Sequence, residues 1–328
     1  MRLTVRTIQI ALGLMWIVDG LLQLQPKMFS TAFATQVLAP SAQGQPAVLA
    51  WPLHELVHLV SRQPVGFDVV FAAVQLLIGI GMLTRSTVKP ALALSMMWVA
   101  GVWALGEGFG MLFTGTASPL TGAPGGVLLY GVLGVVVWPR RRSDTVLDPQ
   151  ASAASGGFLG ETWARAAWAA LWITMGGLWL IPANRNGSAI AAQIERAATN
   201  SPRWLGHVGL MVAHSVNGTG PAVATVLAIA SVSIGLGPLV TRYPTAFLVA
   251  GSALSIDFWL LGQSMGGFVT GMATDPNSAP LFVLLAVALF PNHQVAPVPT
   301  LRADPVAGRT TVVTTPTPSA PPVHARAR

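Results

Sequence analysis

Eight continuous apolar stretches divide the chain, at residues 8–25, 67–83, 91–110, 122–138, 163–181, 221–240, 245–266 and 280–290. They are unbroken runs, not alternations of apolar and polar residues, so each predicts a helix and none predicts a strand of a β-barrel. A bilayer core takes about 20 apolar residues per helix. The pattern therefore predicts an all-α polytopic membrane protein with eight transmembrane helices. The first stretch follows Arg2 and Arg6 and has the outline of a signal peptide, but no small-residue cleavage site comes after it.

The pattern also repeats. Residues 103–115 read WALGEGFGMLFTG and residues 259–271 read WLLGQSMGGFVTG, 156 positions apart. Trp103, Gly106, Gly110, Thr114 and Gly115 meet Trp259, Gly262, Gly266, Thr270 and Gly271, with Glu107 on Gln263. At the same offset Trp16, Gly20 and Pro26 meet Trp172, Gly176 and Pro182, and Val127, Leu129 and Leu133 meet Val283, Leu285 and Leu289. A leader that is cut off would not be copied into mid-chain. The expected architecture is two tandem four-helix repeats. Each has an even number of spans, so the two run parallel. The first repeat covers 1–139, a cytoplasmic linker 140–160, the second repeat 161–293, and a tail rich in Pro, Thr, Val and Ala, expected to be disordered, 294–328.

With the N-terminus inside, thirteen of the 18 Lys and Arg residues fall on the cytoplasmic side and five outside. The positive-inside bias thus predicts a multi-pass protein of the cell membrane with both termini cytoplasmic. The first outer loop of each repeat is long, and 47–60 and 189–198 have helical spacing with apolar faces. They predict helices that lie at the interface or fold back on the bundle.

Composition agrees: 52% of residues are apolar and 9% charged, where soluble domains carry about a quarter charged. The net charge of +7 sits in loops and tails without interleaved aromatics, so it reports topology and not nucleic acid. The lipid bilayer is the expected partner. Cysteine is absent, which excludes disulfides, thiolate metal sites, Fe–S clusters and c-type haem attachment.

Candidate chemistry concentrates on the outer side. His54 and His58 frame the sequence HELVH, and histidines at i and i+4 on a helix can share a metal. The peptidase reading of that motif lacks its context, since the pair lies in a loop and has no counterpart in the second repeat. His58 does align with His214, and His207 lies two turns before His214 on the same helical face. Glu107, near the outer end of the third span, completes a candidate site of His54, His58, His207, His214 and Glu107. Such a site suits copper, zinc or haem, and Met111, Met211, Met265 and Met272 lie toward the same side. The alternative for the histidines is a set of interfacial side chains reaching water. Asp19 and Asp257 are further acids within spans. They suit a proton relay or a hydrogen bond between helices.

The four-span unit, opening with LGLMWIVDGLLQLQP at residues 12–26, resembles the DoxX-like family of small membrane proteins. The resemblance implies a four-helix bundle and, through some members, association with a membrane redox complex. Three functions follow as expectations. One is a redox-associated or metal-handling component. The second is a proton-coupled transporter of a small solute using Asp19 or Asp257. The third is a scaffold subunit without chemistry of its own.

Overall fold

The computed structural model describes residues 3–140 and 151–292. The expected tail and half of the expected linker lie outside them. Twelve α-helices occur among the described residues: α1 (Val5–Gln23), α2 (Ala47–Arg62), α3 (Pro64–Leu83), α4 (Val88–Leu105), α5 (Gly126–Val136), α6 (Gly160–Trp179), α7 (Pro182–Arg185), α8 (Ala189–Thr199), α9 (Arg203–Val216), α10 (Gly220–Val240), α11 (Pro244–Leu261) and α12 (Ser278–Leu289).

Five of these, α1, α3, α4, α10 and α11, are long and apolar enough to cross a membrane. Their outward faces are apolar: Leu77 is 62% exposed, Ile80 57%, Val226 64% and Val249 53%. Side chains of this kind belong in lipid, and the chain is a multi-pass integral membrane protein. The polar side chains of Gln9, Asp19, Gln23, Asp68 and Gln75 on α1 and α3 are buried in the bundle, away from these apolar outer faces.

The other three expected spans also fall on helices, but with different properties. Helix α6 has 20 residues and carries Glu161 and Arg165, paired across one turn. Helices α5 and α12 have only 11 and 12 residues. At 1.5 Å per residue they rise about 16–18 Å, roughly half of a bilayer core. The apolar pattern predicts a helix start at 122. The structure delays it to Gly126 because Gly122 (φ 106°) and Gly125 (φ 121°) lie outside helical backbone space. The expected span 91–110 likewise stops at Leu105, and the backbone then turns left-handed from Gly108 to Met111.

Helix α1 starts at Thr4, whose hydroxyl caps the Thr7 N–H at 3.2 Å. It packs along α3, and α6 packs along α10. Small residues permit the first contact. A Cβ on Gly79 would stand 2.7 Å from the Gly13 carbonyl oxygen, and one on Gly13 would stand 2.9 Å from the Gly79 oxygen. The two backbones therefore touch, as small-residue helix pairs in membranes do. Short helices α5 and α12 occupy the middle. Tyr130 of α5 lies on Trp16 at 4.3 Å between ring centroids, and Phe282 of α12 lies on Trp172 at 5.2 Å. Leu129, Leu133, Leu281 and Leu285 fill the space between them.

The expected loop helices appear as α2 and α8, joined by α9. Helix α2 buries Leu53 and Val60 and leaves Trp51 68% exposed; α9 buries Leu205 and Ala213 and leaves Trp204 62% exposed. The apolar stripe faces the bundle, while the exposed tryptophans suit a membrane interface.

Candidate functional site

Glu107 follows the end of α4. Its N–H bonds the Val102 carbonyl at 2.8 Å, closing the last turn. Trp103, one turn earlier, donates its indole N–H to the Pro124 carbonyl at 2.8 Å. That bond holds the loop 106–125 against α4 and brings the N-terminus of α5 to Glu107. Glu107 Oε1 then accepts the Val127 N–H at 2.9 Å, and the Gly126 N–H also points to the carboxyl. A carboxylate at a helix start satisfies free N–H groups and the positive end of the helix dipole. The fit depends on Gly125, since a Cβ there would stand 2.3 Å from Glu107 Oε2. Oε2 is buried and has no protein partner.

A similar arrangement without the charge follows α11. Trp259 donates to the Pro276 carbonyl at 2.7 Å. Gln263 accepts from the Ser278 hydroxyl at 3.0 Å, at the start of α12.

Glu107 opens onto a cavity of about 940 Å³, in the size range of small-molecule sites. Asp19 and Trp16 of α1, Gln75 of α3, Trp98 of α4 and Tyr130 of α5 line it, together with Asp275 from the loop before α12. The Tyr130 hydroxyl lies beside the Asp19 carboxyl. Asp275 is held locally: Oδ1 accepts the Asn277 N–H at 2.6 Å and Oδ2 accepts the Thr274 hydroxyl at 2.8 Å. Arg196, the basic residue on this wall, is exposed and turns its Nε to the Ala192 carbonyl of its own helix at 3.1 Å.

Burial and the neighbouring Asp275 carboxyl push Glu107 up from 4.5 to about 8, against the pull of the Val127 and Gly126 N–H groups. Asp275 is also raised, by burial, and is held back by Thr274 and the Asn277 N–H. Both lie beyond the ends of the spanning helices. Near neutral pH Glu107 keeps its proton, and a positive charge brought near it would favour release of that proton to water.

Of the residues singled out in the sequence, Glu107 and Asp19 share this cavity. The histidines do not line it. His54 and His58 lie on the exposed face of α2, and His207 and His214 on the exposed face of α9. Helical spacing explains this, because Leu53 and Val60 turn inward on α2 and the His54/His58 stripe turns out. Among the described residues no three His, Asp or Glu side chains come together to hold a metal ion. Asp257 is exposed on α11, away from the cavity wall.

Asp275 and Tyr130 were missed in the sequence. Tyr130 is one of two tyrosines in the chain and sits in an apolar run, which is a signal available before folding. Asp275 lies in a loop outside the expected spans, and only folding carries it to Glu107.

No protein-family model matches the chain, and comparison with curated proteins and with solved structures finds no match.

Proposed function

We propose that the protein is a proton-coupled transporter of a small solute, with the cavity between Asp19, Glu107, Tyr130 and Asp275 as its binding site. One observation carries the reading. A chamber of drug-sized volume is bounded by three carboxyl groups with no buried basic partner. Ionisable groups inside a membrane bundle are costly and mark pathways for ions, protons or substrates. The half-length helices α5 and α12 support it as well, since transporters place substrate at the N-termini of discontinuous helices.

Within the same proposal the chain is two parallel four-helix units crossing the membrane eight times, with both termini cytoplasmic. A DoxX-like origin of each unit belongs to this reading. Three paired contacts support the duplication. Trp103 bonds the Pro124 carbonyl and Trp259 the Pro276 carbonyl. Trp16 stacks on Tyr130 and Trp172 on Phe282. Gln25 donates to the Ala273 carbonyl and Asn184 to the Ala117 carbonyl, so each half clasps the other half's loop. The tryptophans are 156 positions apart but the prolines only 152. The last helices therefore correspond one turn away from the uniform sequence register, with Tyr130 opposite Phe282. On this correspondence Met175, Gln263 and Phe282 replace Asp19, Glu107 and Tyr130. The first unit holds the protonatable site, and the second contributes Asp275 to it.

A metal or redox role built on His54, His58, His207 and His214 gains no support from their exposed placement. Reconstitution tests the proposal. Proteoliposomes carrying an imposed pH gradient are offered a panel of labelled amines, amino acids and sugars. Uptake of at least one class, collapsing with a protonophore and lost in Glu107→Gln, is the expected result. Uptake that ignores the pH gradient, or none for any class, overturns it.

A further inference from the structure

We propose that the solute is a small organic ammonium cation, which takes the place of carboxyl protons in the chamber; this rests on the chamber being the solute site. Charge is the first ground. Asp19 on α1, Glu107 after α4 and Asp275 before α12 face the space with Tyr130 on α5. The α3 and α4 walls add the uncharged Gln75 and Trp98, and the α8 wall adds Arg196, exposed and turned to its own helix. An anion here would oppose ionisation of the three carboxyl groups and a neutral solute would leave their protonation unchanged, whereas a cation supplies the counter-charge that lets them give up protons.

Unpartnered acceptors are the second ground, and the two glutamine oxygens among them add to the carboxyl groups already named. Asp19 is 1% exposed, Gln23 2% and Gln75 8%, and all three line the cavity. Asp19 Oδ1, Gln23 Oε1, Gln75 Oε1 and Glu107 Oε2 are buried acceptors with no donor in the protein. Buried polar atoms of this kind are normally satisfied, and an ammonium N–H supplies what they lack. The unpartnered indole N–H groups of Trp16 and Trp98 offer donors to an acceptor elsewhere on the solute.

The walls select an organic cation over an inorganic one. Trp16, Phe71, Trp98 and Tyr130 line the chamber, and aromatic faces attract alkylammonium groups. A volume of about 940 Å³ is far larger than an inorganic ion needs. Proton bookkeeping closes the cycle. With Glu107 near 8 in the empty chamber, a bound cation favours the ionised carboxylate, and each cation that enters releases about one proton to the medium.

The test uses the purified full-length protein in detergent, read by intrinsic tryptophan fluorescence. The probes are benzylammonium, its neutral carbon isostere ethylbenzene, and benzenesulfonate. The expected result is saturable binding of the cation alone, tightening about ninefold from pH 6 to 7 and about fivefold from pH 7 to 8. Glu107→Gln removes that slope, and Asp19→Asn weakens binding at least tenfold. Equal binding of the neutral isostere, binding of the sulfonate, or cation binding without pH dependence overturns the inference. If Glu107→Gln fails to fold, the wild-type slope and Asp275→Asn decide in its place. Proton-coupled uptake of a neutral solute, with no cation binding, refutes the cation and leaves transport standing. Cation binding without uptake refutes transport and leaves the cation site standing.

Discussion

Replacing Glu107 with glutamine keeps the shape of the side chain and its acceptor for the Val127 N–H while removing the charge. The wild-type carboxyl is raised from 4.5 to about 8, a preference for the neutral form of about 5 kcal/mol at most, less wherever cavity water screens the charge. The sign follows from linkage. Below pH 4.5 folded and unfolded chains both hold the proton, and the full stability is present. Between 4.5 and 8 the unfolded chain ionises while the folded one does not. Stability falls by about 1.4 kcal/mol per pH unit, reaching a loss of about 3 kcal/mol at pH 7. Glutamine escapes this loss. Its cost is one amide N–H group at the unpartnered Oε2 position, about 1 kcal/mol. The chain already places a glutamine against a helix start after α11, where Gln263 accepts from Ser278. Thermal unfolding in detergent at pH 5 and pH 8.5 checks the expectation. The variant is slightly less stable than wild type at pH 5 and clearly more stable at pH 8.5. A difference between the two proteins that does not change with pH would refute the burial of the Glu107 carboxyl.

Three other outcomes are expected. Gly79→Ala pushes a methyl to 2.7 Å from the Gly13 carbonyl oxygen and should cost about 1–3 kcal/mol, whereas Gly177→Ala, with nothing within 4 Å, should be neutral or stabilise by up to about 1 kcal/mol; thermal midpoints compare them. Trp103→Phe keeps the ring near Phe109 but removes the bond to the Pro124 carbonyl, for a loss of about 1 kcal/mol in the same assay. Because the chain has no cysteine, Arg62→Cys should react with a membrane-impermeant maleimide added outside intact cells and Arg85→Cys should not; the reverse labelling inverts the topology.

The chain's class was legible without coordinates. Long uncharged runs leave few alternatives to helices in lipid, because only an internally bonded backbone is stable there. All eight expected stretches fall on helices, and the loop helices at 47–60 and 189–198 fall on α2 and α8. Local backbone chemistry set the ends differently. Gly106 and Gly108 follow the last turn of α4, and Gly122 and Gly125 hold back α5, so the expected spans became shorter helices.

The site divides along the same line. Glu107 stood out as an acid in a glycine-spaced apolar run, and Asp19 as an acid within a span; residue type and hydrophobic context were enough to find both. Local spacing also paired the histidines, but spacing alone does not say which face of a helix turns inward. Leu53 and Val60 claim that face on α2, and the histidines are left outside. Only the tertiary structure carried Asp275 from a distant part of the chain to Glu107 and formed a cavity beside them. That meeting depends on long-range contacts such as Gln25 with the Ala273 carbonyl and Lys27 with the Thr270 carbonyl. No periodicity within a single segment encodes them.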